Sequence, residues 1–215
     1  MSILNDISEN LQRGKARVVK DLVEQALADG LDAADILQNG LMPGMDIVAE
    51  KFKNNEVFVP EVLIAARAMN MGTTVLKPLL GAGGAATVGK AIVGTVKGDL
   101  HDIGKNLVRM MLEGKGIEVI DLGVDVSAEQ YLAAFKEHDA DVIALSALLT
   151  TTMDEMKNTV QAFVDAGLRD KVIIMVGGAP ITESFCRDAG ADIYTADAAS
   201  AAEAAKNAIL EKKAA

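Results

Sequence analysis

A helical bundle followed by a five-stranded parallel α/β sheet is the architecture this sequence predicts. Three observations predict it: amphipathic segments with short connections up to about Leu80, a Gly/Ala-rich run after them, and short apolar runs alternating with helical stretches beyond. Leu11 to Ala28 carries Val18, Val19, Leu22, Val23, Ala26 and Leu27 at spacings of three and four, the stripe of an amphipathic helix. Gly30 is placed to stop that helix, and Asp32 to cap a second, short one ending near Gly40. A third, about Pro43 to Phe52, opens with proline at an early helical position, where a missing N–H costs nothing. The fourth, about Pro60 to Leu80, carries Leu63, Ile64, Arg67, Ala68, Met71 and Val75. Four such segments predict a small antiparallel four-helix bundle.

The run Gly81-Ala82-Gly83-Gly84-Ala85-Ala86-Thr87 reads as a linker. The expected domains are therefore residues 1–82, a linker at 83–90, and a second domain at 91–215. In that second domain the strands are expected at Ala91–Val96, Ile117–Leu122, Val142–Leu145, Val172–Val176 and Asp192–Tyr194. Helices are expected at Gly104–Lys115, Ala128–Glu137, Met153–Ala166, Thr182–Ala189 and Ala198–Lys212. Continuous apolar strands spaced by helices mean a parallel sheet covered on both faces. Five of each fit a flavodoxin-like (Rossmann-like), doubly wound sheet of order 2-1-3-4-5. Ligands bind such a sheet at the carboxyl ends of the strands, where the order reverses.

Composition narrows the function. The 215 residues carry 21 basic and 31 acidic side chains, a net charge of −10, which argues against nucleic acid. No apolar run is long enough to span a bilayer and the first ten residues do not read as a signal, so a soluble, cytoplasmic protein without a membrane partner is expected. A lone cysteine, Cys186, excludes an intrachain disulfide and any multi-cysteine metal site, and reads as a small apolar core residue. With only two histidines, His101 stands out, because His138 lies among charges near a helix end. The methionines at helical spacings read as core.

The chemistry-bearing run is Asp99-Leu100-His101-Asp102-Ile103-Gly104, followed 41 residues later by Ser146-Ala147-Leu148 and, after another 28, by Gly177-Gly178. A carboxylate two residues before a histidine, just after a strand, can hold the imidazole in one tautomer as a metal ligand. The three motifs follow the first, third and fourth strands and so gather at one edge of the sheet. Rival motifs fail: the stretch from Gly84 to Ala91 lacks the Ser/Thr of a P-loop and precedes a strand, and no Gly-x-Gly-x-x-Gly follows the first strand. Asp99 and Asp102 suggest a response-regulator pair, but Ser146 stands where that fold carries its phosphoacceptor.

As a set, these residues resemble the cobalamin-binding pattern Asp-x-His-x-x-Gly, Ser-x-Leu, Gly-Gly shared by methionine synthase, B12-dependent mutases and the corrinoid proteins of methyltransferase systems. The upstream helices, with Phe52 and the Phe58-Val59-Pro60-Glu61 turn, resemble the helical cap found in methionine synthase and the methyl-carrying corrinoid proteins. The resemblance covers nearly the whole chain. It implies cobalamin or a related corrinoid bound base-off/His-on, with His101 as the lower axial cobalt ligand and Asp99 on its far nitrogen. Thr152 replaces the serine that often completes this relay, and the proton state of Asp99 and Thr152 is expected to tune the histidine's hold on cobalt. Asp102, Ile103, Gly104, Ser146, Leu148, Thr150, Gly177 and Gly178 are the implied cofactor contacts, and Phe52 and Val59 the implied cap side chains. Glycine at 177 and 178 is expected because a Cβ would collide with the cofactor's tail.

What the resemblance implies about function is a corrinoid methyl carrier, shuttling methyl-Co(III) in methanogenesis or acetogenesis. It is a cofactor-bearing component of a methyltransferase system rather than a complete enzyme. Its expected partners are a substrate-specific methyltransferase, an acceptor methyltransferase serving coenzyme M or tetrahydrofolate, and a reductive activase. The rival expectation is a B12-dependent sensor or regulator, and a third a mutase cofactor subunit, which the helical segment disfavours.

Overall fold

The computed structural model describes residues 2–80 and 87–214, and in it Gly14 decides how the chain begins. A first helix, α1 (Ile3–Gln12), ends there, and α2 (Ala16–Ala28) starts after the turn. Gly14 takes φ +66°, a left-handed conformation, and a Cβ on it would come within 2.5 Å of the Ile64 side chain. The single helix expected from Leu11 is thus corrected to two, with Ile7, Ser8 and Leu11 buried in the first and Val19, Val23 and Ala26 in the second. Asp32 does cap the next helix, accepting from the Ala34 N–H at 3.2 Å, but α3 (Ala33–Ile36) does not stop at Gly40. A π-helical turn, Leu37–Leu41, carries the chain on into α4 (Met42–Lys53), and α5 (Val59–Leu76) follows.

Because α3, the π turn and α4 run on without a break, the described residues of the bundle form four helical runs, 3–12, 16–28, 33–53 and 59–76, with α2 packed on α5 and α1 on both α2 and α4. The inward face of α5 is Val62, Ala65, Ala66, Met69, Gly72 and Leu76, whereas Leu63, Ile64 and Met71 lie on its exposed side. That helix is apolar on more than one face, so spacing alone does not tell which side is buried.

The second unit holds the sheet: β1 (Gly89–Thr95), β2 (Ile117–Asp121), β3 (Val142–Ser146), β4 (Ile173–Gly177) and β5 (Ile193–Tyr194). All pairings are parallel, in the order β2-β1-β3-β4-β5, as the sequence predicts. Because β1 begins at Gly89, the linker expected at 83–90 ends earlier; residues 81–86 lie outside the described residues. The helices are α6 (Ile103–Gly114), α7 (Ala128–His138), α8 (Met153–Asp165), α9 (Glu183–Ala189) and α10 (Ala198–Ala214).

Strand alternation splits the core into two layers. Ile92, Ile143, Leu145, Ile174 and Val176 share one apolar cluster with Tyr131 and Phe135 of α7 and Met156 and Phe163 of α8. There the Phe135 and Phe163 rings meet edge-to-face at 5.4 Å, a favourable arrangement for opposed ring quadrupoles. The opposite face carries Ala91, Val93, Thr95, Val142, Ala144, Ser146, Met175 and Gly177, and it is this face that supplies the site.

Candidate functional site

The turn after β1 is built around one carboxylate. Asp99 is fully buried and accepts five hydrogen bonds. The His101 N–H (3.0 Å) and ring Nδ1 (2.7 Å) approach Oδ1, while the N–H groups of Leu148 (2.7 Å) and Leu149 (3.1 Å) and the Thr152 hydroxyl (3.0 Å) approach Oδ2. Burial alone would raise the Asp99 pKa, but the Leu148 N–H, the His101 ring, and the His101 and Leu149 N–H groups outweigh it and hold the carboxyl well below the usual range.

An ionised carboxylate can only accept, so Nδ1 of His101 carries a proton, and in the neutral imidazole this tautomer leaves the lone pair on Nε2. The His101 side chain is 50% exposed, and Nε2 has no hydrogen-bond partner among the described residues. The single hydroxyl proton of Thr152 has two acceptors in reach, Asp99 Oδ2 and the Leu149 carbonyl at 2.9 Å. The expectation that Asp99 changes its proton state meets a physical obstacle here, because five donors leave the carboxylate committed to its charged form.

The other expected contacts surround this centre. Asp102 is exposed at the start of α6, where its carboxylate accepts from Asn106 Nδ2 at 3.1 Å. Ile103 and Gly104 are exposed, and a Cβ on Gly104 would meet nothing within 4 Å. Leu148 is exposed and Thr150 lies exposed on the short 3₁₀ turn Thr150–Thr152. Parallel register sets Thr95, Ser146 and Gly177 side by side on β1, β3 and β4 at the carboxyl edge. Phe52 and Val59, both half-buried, belong to the first unit, at the end of α4 and the start of α5.

The two glycines part company. A Cβ on Gly177 would meet nothing within 4 Å, so this strand end is open. Gly178 takes φ +133°, and its Cβ would overlap the carbonyl oxygen of Ala147. At Gly178 a Cβ is excluded by the fold itself, apart from the expected collision with a bound tail.

Several supporting residues escaped the sequence reading. Thr95, fully buried, donates its hydroxyl to the His101 carbonyl at 2.8 Å. Asp125 accepts from the Gly98 N–H at 2.7 Å, and its own N–H donates to the Asp99 carbonyl at 3.0 Å. Lys105 of α6 is buried and donates to both Asp121 oxygens, at 2.6 and 2.7 Å, and Arg109 reaches the same carboxylate at 3.1 Å. Burial would raise the Asp121 pKa, but the Lys105 ammonium, the Gly123 N–H and the Arg109 charge lower it overall. A basic pair at i and i+4 facing a strand-end aspartate was a readable signal for this last cluster.

The donor set suits a metal already held by a macrocycle. Among the described residues no group of three or more His, Cys, Asp or Glu side chains could cage a bare cation. What is present is one outward imidazole lone pair, exposed apolar side chains on the same loops (Leu100, Ile103, Leu148, Leu149), and open space beside Gly104 and Gly177. One outward imidazole nitrogen, an apolar rim and an open strand edge fit a flat corrinoid.

Such a fold and site define a B12-binding protein, and the comparisons agree. Residues 89–206 match a B12 binding domain family, and residues 3–77 match a second B12 binding domain family. A corrinoid protein of Desulfitobacterium hafniense is 38% identical over 215 residues, covering 99% of each chain. The dimethylamine corrinoid protein of Methanosarcina barkeri is 39% identical over 205 residues, covering 95% of this chain and 96% of that one. Among solved structures, the methanol:cobalamin methyltransferase complex of Methanosarcina barkeri aligns with a TM-score of 0.88 at 31% identity, covering 97% of this chain and 80% of that one. The chain belongs to the B12-binding corrinoid proteins of the methylamine/methanol methyltransferase type. No described helix is long and apolar enough to cross a membrane.

Proposed function

We propose that this chain carries a methyl group on a base-off corrinoid, with Nε2 of His101 as the lower axial ligand. The observation that carries the reading is the His101–Asp99 pair: Nδ1 fixed at 2.7 Å on a buried carboxylate leaves Nε2 as the outward base. When bound, a corrinoid supplies a cobalt that takes a methyl group from one enzyme and yields it to another.

The chain's own residues bind and orient. Asp99 fixes the tautomer of His101, and Thr152 with the Leu148 and Leu149 N–H groups keeps Asp99 charged and in place. Gly104, Ser146 and Gly177 leave room for the tail along the strand ends; Asp102, Ile103, Leu148 and Thr150 edge the ring and its side chains. Gly178 shapes the turn beside them. Phe52 and Val59 are the cap side chains of this reading, in a helical domain assigned to residues 1–82.

In this reading the partners are a substrate-specific methyltransferase, an acceptor methyltransferase and a reductive activase, and the chain works in the cytoplasm. The net charge of −10 suits transient docking to more than one enzyme. The names of the relatives support the methyl-carrier reading and lend nothing to a B12 sensor.

The test is to load the protein with hydroxocobalamin and compare its visible spectrum with that of His101→Ala. The wild type is expected to retain corrinoid through gel filtration with a histidine-ligated spectrum, and the variant to lose that signature. Identical spectra would remove the ligand assignment.

A further inference from the structure

His101 is held by three hydrogen bonds, one at its ring and two at its backbone, and two of the three lead to the same residue. Its N–H and Nδ1 both donate to Asp99 Oδ1. The third tether is its carbonyl, which accepts the Thr95 hydroxyl at 2.8 Å. Thr95 therefore fixes the histidine from a direction that Asp99 does not supply.

Nothing in packing alone calls for that hydroxyl. Thr95 is the last residue of β1 and is fully buried, and a valine would fill the same volume. Its backbone is already committed, the N–H to the Gly123 carbonyl at 3.0 Å and the carbonyl to the Val126 N–H at 2.9 Å. What threonine adds is a donor aimed six residues along the chain, at the peptide of His101.

Asp99 has an anchor of its own. Asp125 holds two consecutive residues of the turn, accepting from the Gly98 N–H at 2.7 Å and donating its own N–H to the Asp99 carbonyl at 3.0 Å. It does so from φ +55°, a left-handed conformation that aspartate tolerates better than most residues. It is exposed, so core packing does not account for its place.

We propose that Thr95 and Asp125 are positioning residues for axial ligation, one clamping the peptide of His101 and the other the turn that bears Asp99, and that together they set how strongly Nε2 holds a corrinoid cobalt. The inference rests on His101 being the lower ligand. Neither residue touches the metal. They act through ring placement, and outer-shell partners of metal ligands typically change affinity by about 10- to 100-fold. Thr95→Val is expected at the lower end, about tenfold, because two of the three tethers survive.

The experiment uses the full chain loaded with hydroxocobalamin and reduced to the Co(II) state. Electron paramagnetic resonance reads the splitting from an axial nitrogen, and redox titration reads the Co(II)/Co(I) potential. Thr95→Val and Asp125→Ala are expected to lose much of the nitrogen-split signal, and their potential should rise by about 59 mV for each tenfold loss of ligation in a one-electron couple. Thr95→Ser and Asp125→Asn, which keep the donor and the acceptor, are expected to restore both readouts.

A merely structural role would lower the melting temperature and leave the spectrum of the folded fraction untouched, and that result overturns the proposal. If Thr95→Val does not fold, the exposed pair Asp125→Ala and Asp125→Asn decides. If wild type and His101→Ala give the same spectrum, the ligand reading falls. If those two differ while Thr95→Val and Asp125→Ala match wild type, only the clamp falls.

Discussion

Alanine at Gly177 and alanine at Gly178 are adjacent changes of one methyl group, and the structure assigns them opposite consequences. At Gly178 the backbone sits at φ +133°, which side chains rarely adopt, and the added Cβ would overlap the Ala147 carbonyl oxygen and lie 2.9 Å from its carbon. Strain at such a φ costs about 1–3 kcal/mol. Forcing an extra methyl into filled space costs about 1–3 kcal/mol more. The obstacle is backbone, hydrogen-bonded through the Ala147 N–H to Gly177 at 3.1 Å, so it cannot swing aside as a side chain would. Gly178→Ala should therefore destabilise the cofactor-free protein by roughly 3 kcal/mol, a fall in melting temperature of about 10 °C for a chain of this size. Gly177→Ala meets nothing within 4 Å, and its stability should be unchanged or raised by about 0.5 kcal/mol through the unfolded state. Its effect should be on corrinoid retention, because the methyl group enters the proposed tail slot. Thermal unfolding by circular dichroism, followed by hydroxocobalamin titration, separates the two. A Gly178→Ala protein that melts with wild type, or a Gly177→Ala protein that binds corrinoid as tightly as wild type, would refute the respective half of the argument.

Two further outcomes follow from burial and charge. The folded Asp121 carboxyl lies below its unfolded value of about 3.9, so its stabilisation is complete above that pH and is lost as the pH falls through the folded value. Melting temperature should thus decline on acidification below about pH 4, and Asp121→Asn should flatten that limb, while Lys105→Ala should cost about 1.5–3 kcal/mol at neutral pH, because the half-buried Asp121 keeps only Arg109 and the Gly123 N–H; an unaltered limb in Asp121→Asn would contradict the assignment. Burial pushes the Cys186 thiol up, and the side chain lies inside the second unit's core. Iodoacetamide at pH 8 should therefore modify native protein far more slowly than urea-unfolded protein, as read by mass spectrometry.

The alternation of β-branched runs with helices was legible along the second unit because each strand is apolar on both faces and bounded by polar or glycine-containing turns. Strand order followed from that alternation, and Asp99, His101 and Thr152 meet as the family resemblance implies. The first unit was read less well. The helix Ile3–Gln12 was missed, since Ile7 and Leu11 are sparse among polar residues, and the break at Gly14 depends on Ile64, fifty positions away. The supports of the site were hidden for another reason. Leu148 and Leu149 act through backbone N–H groups, which leave no trace in residue identity, and the partner of Thr95 depends on the turn geometry.

Three of the five bonds to Asp99 tie β1's turn to the segment after β3, some fifty residues on. Nearly half of the second unit must be threaded before those bonds can close. A chain in which that segment is not yet in place lacks three of the five donors that seat Asp99 beneath the imidazole. On the proposed ligand assignment, a firm axial hold on the cofactor waits until those two distant segments have met.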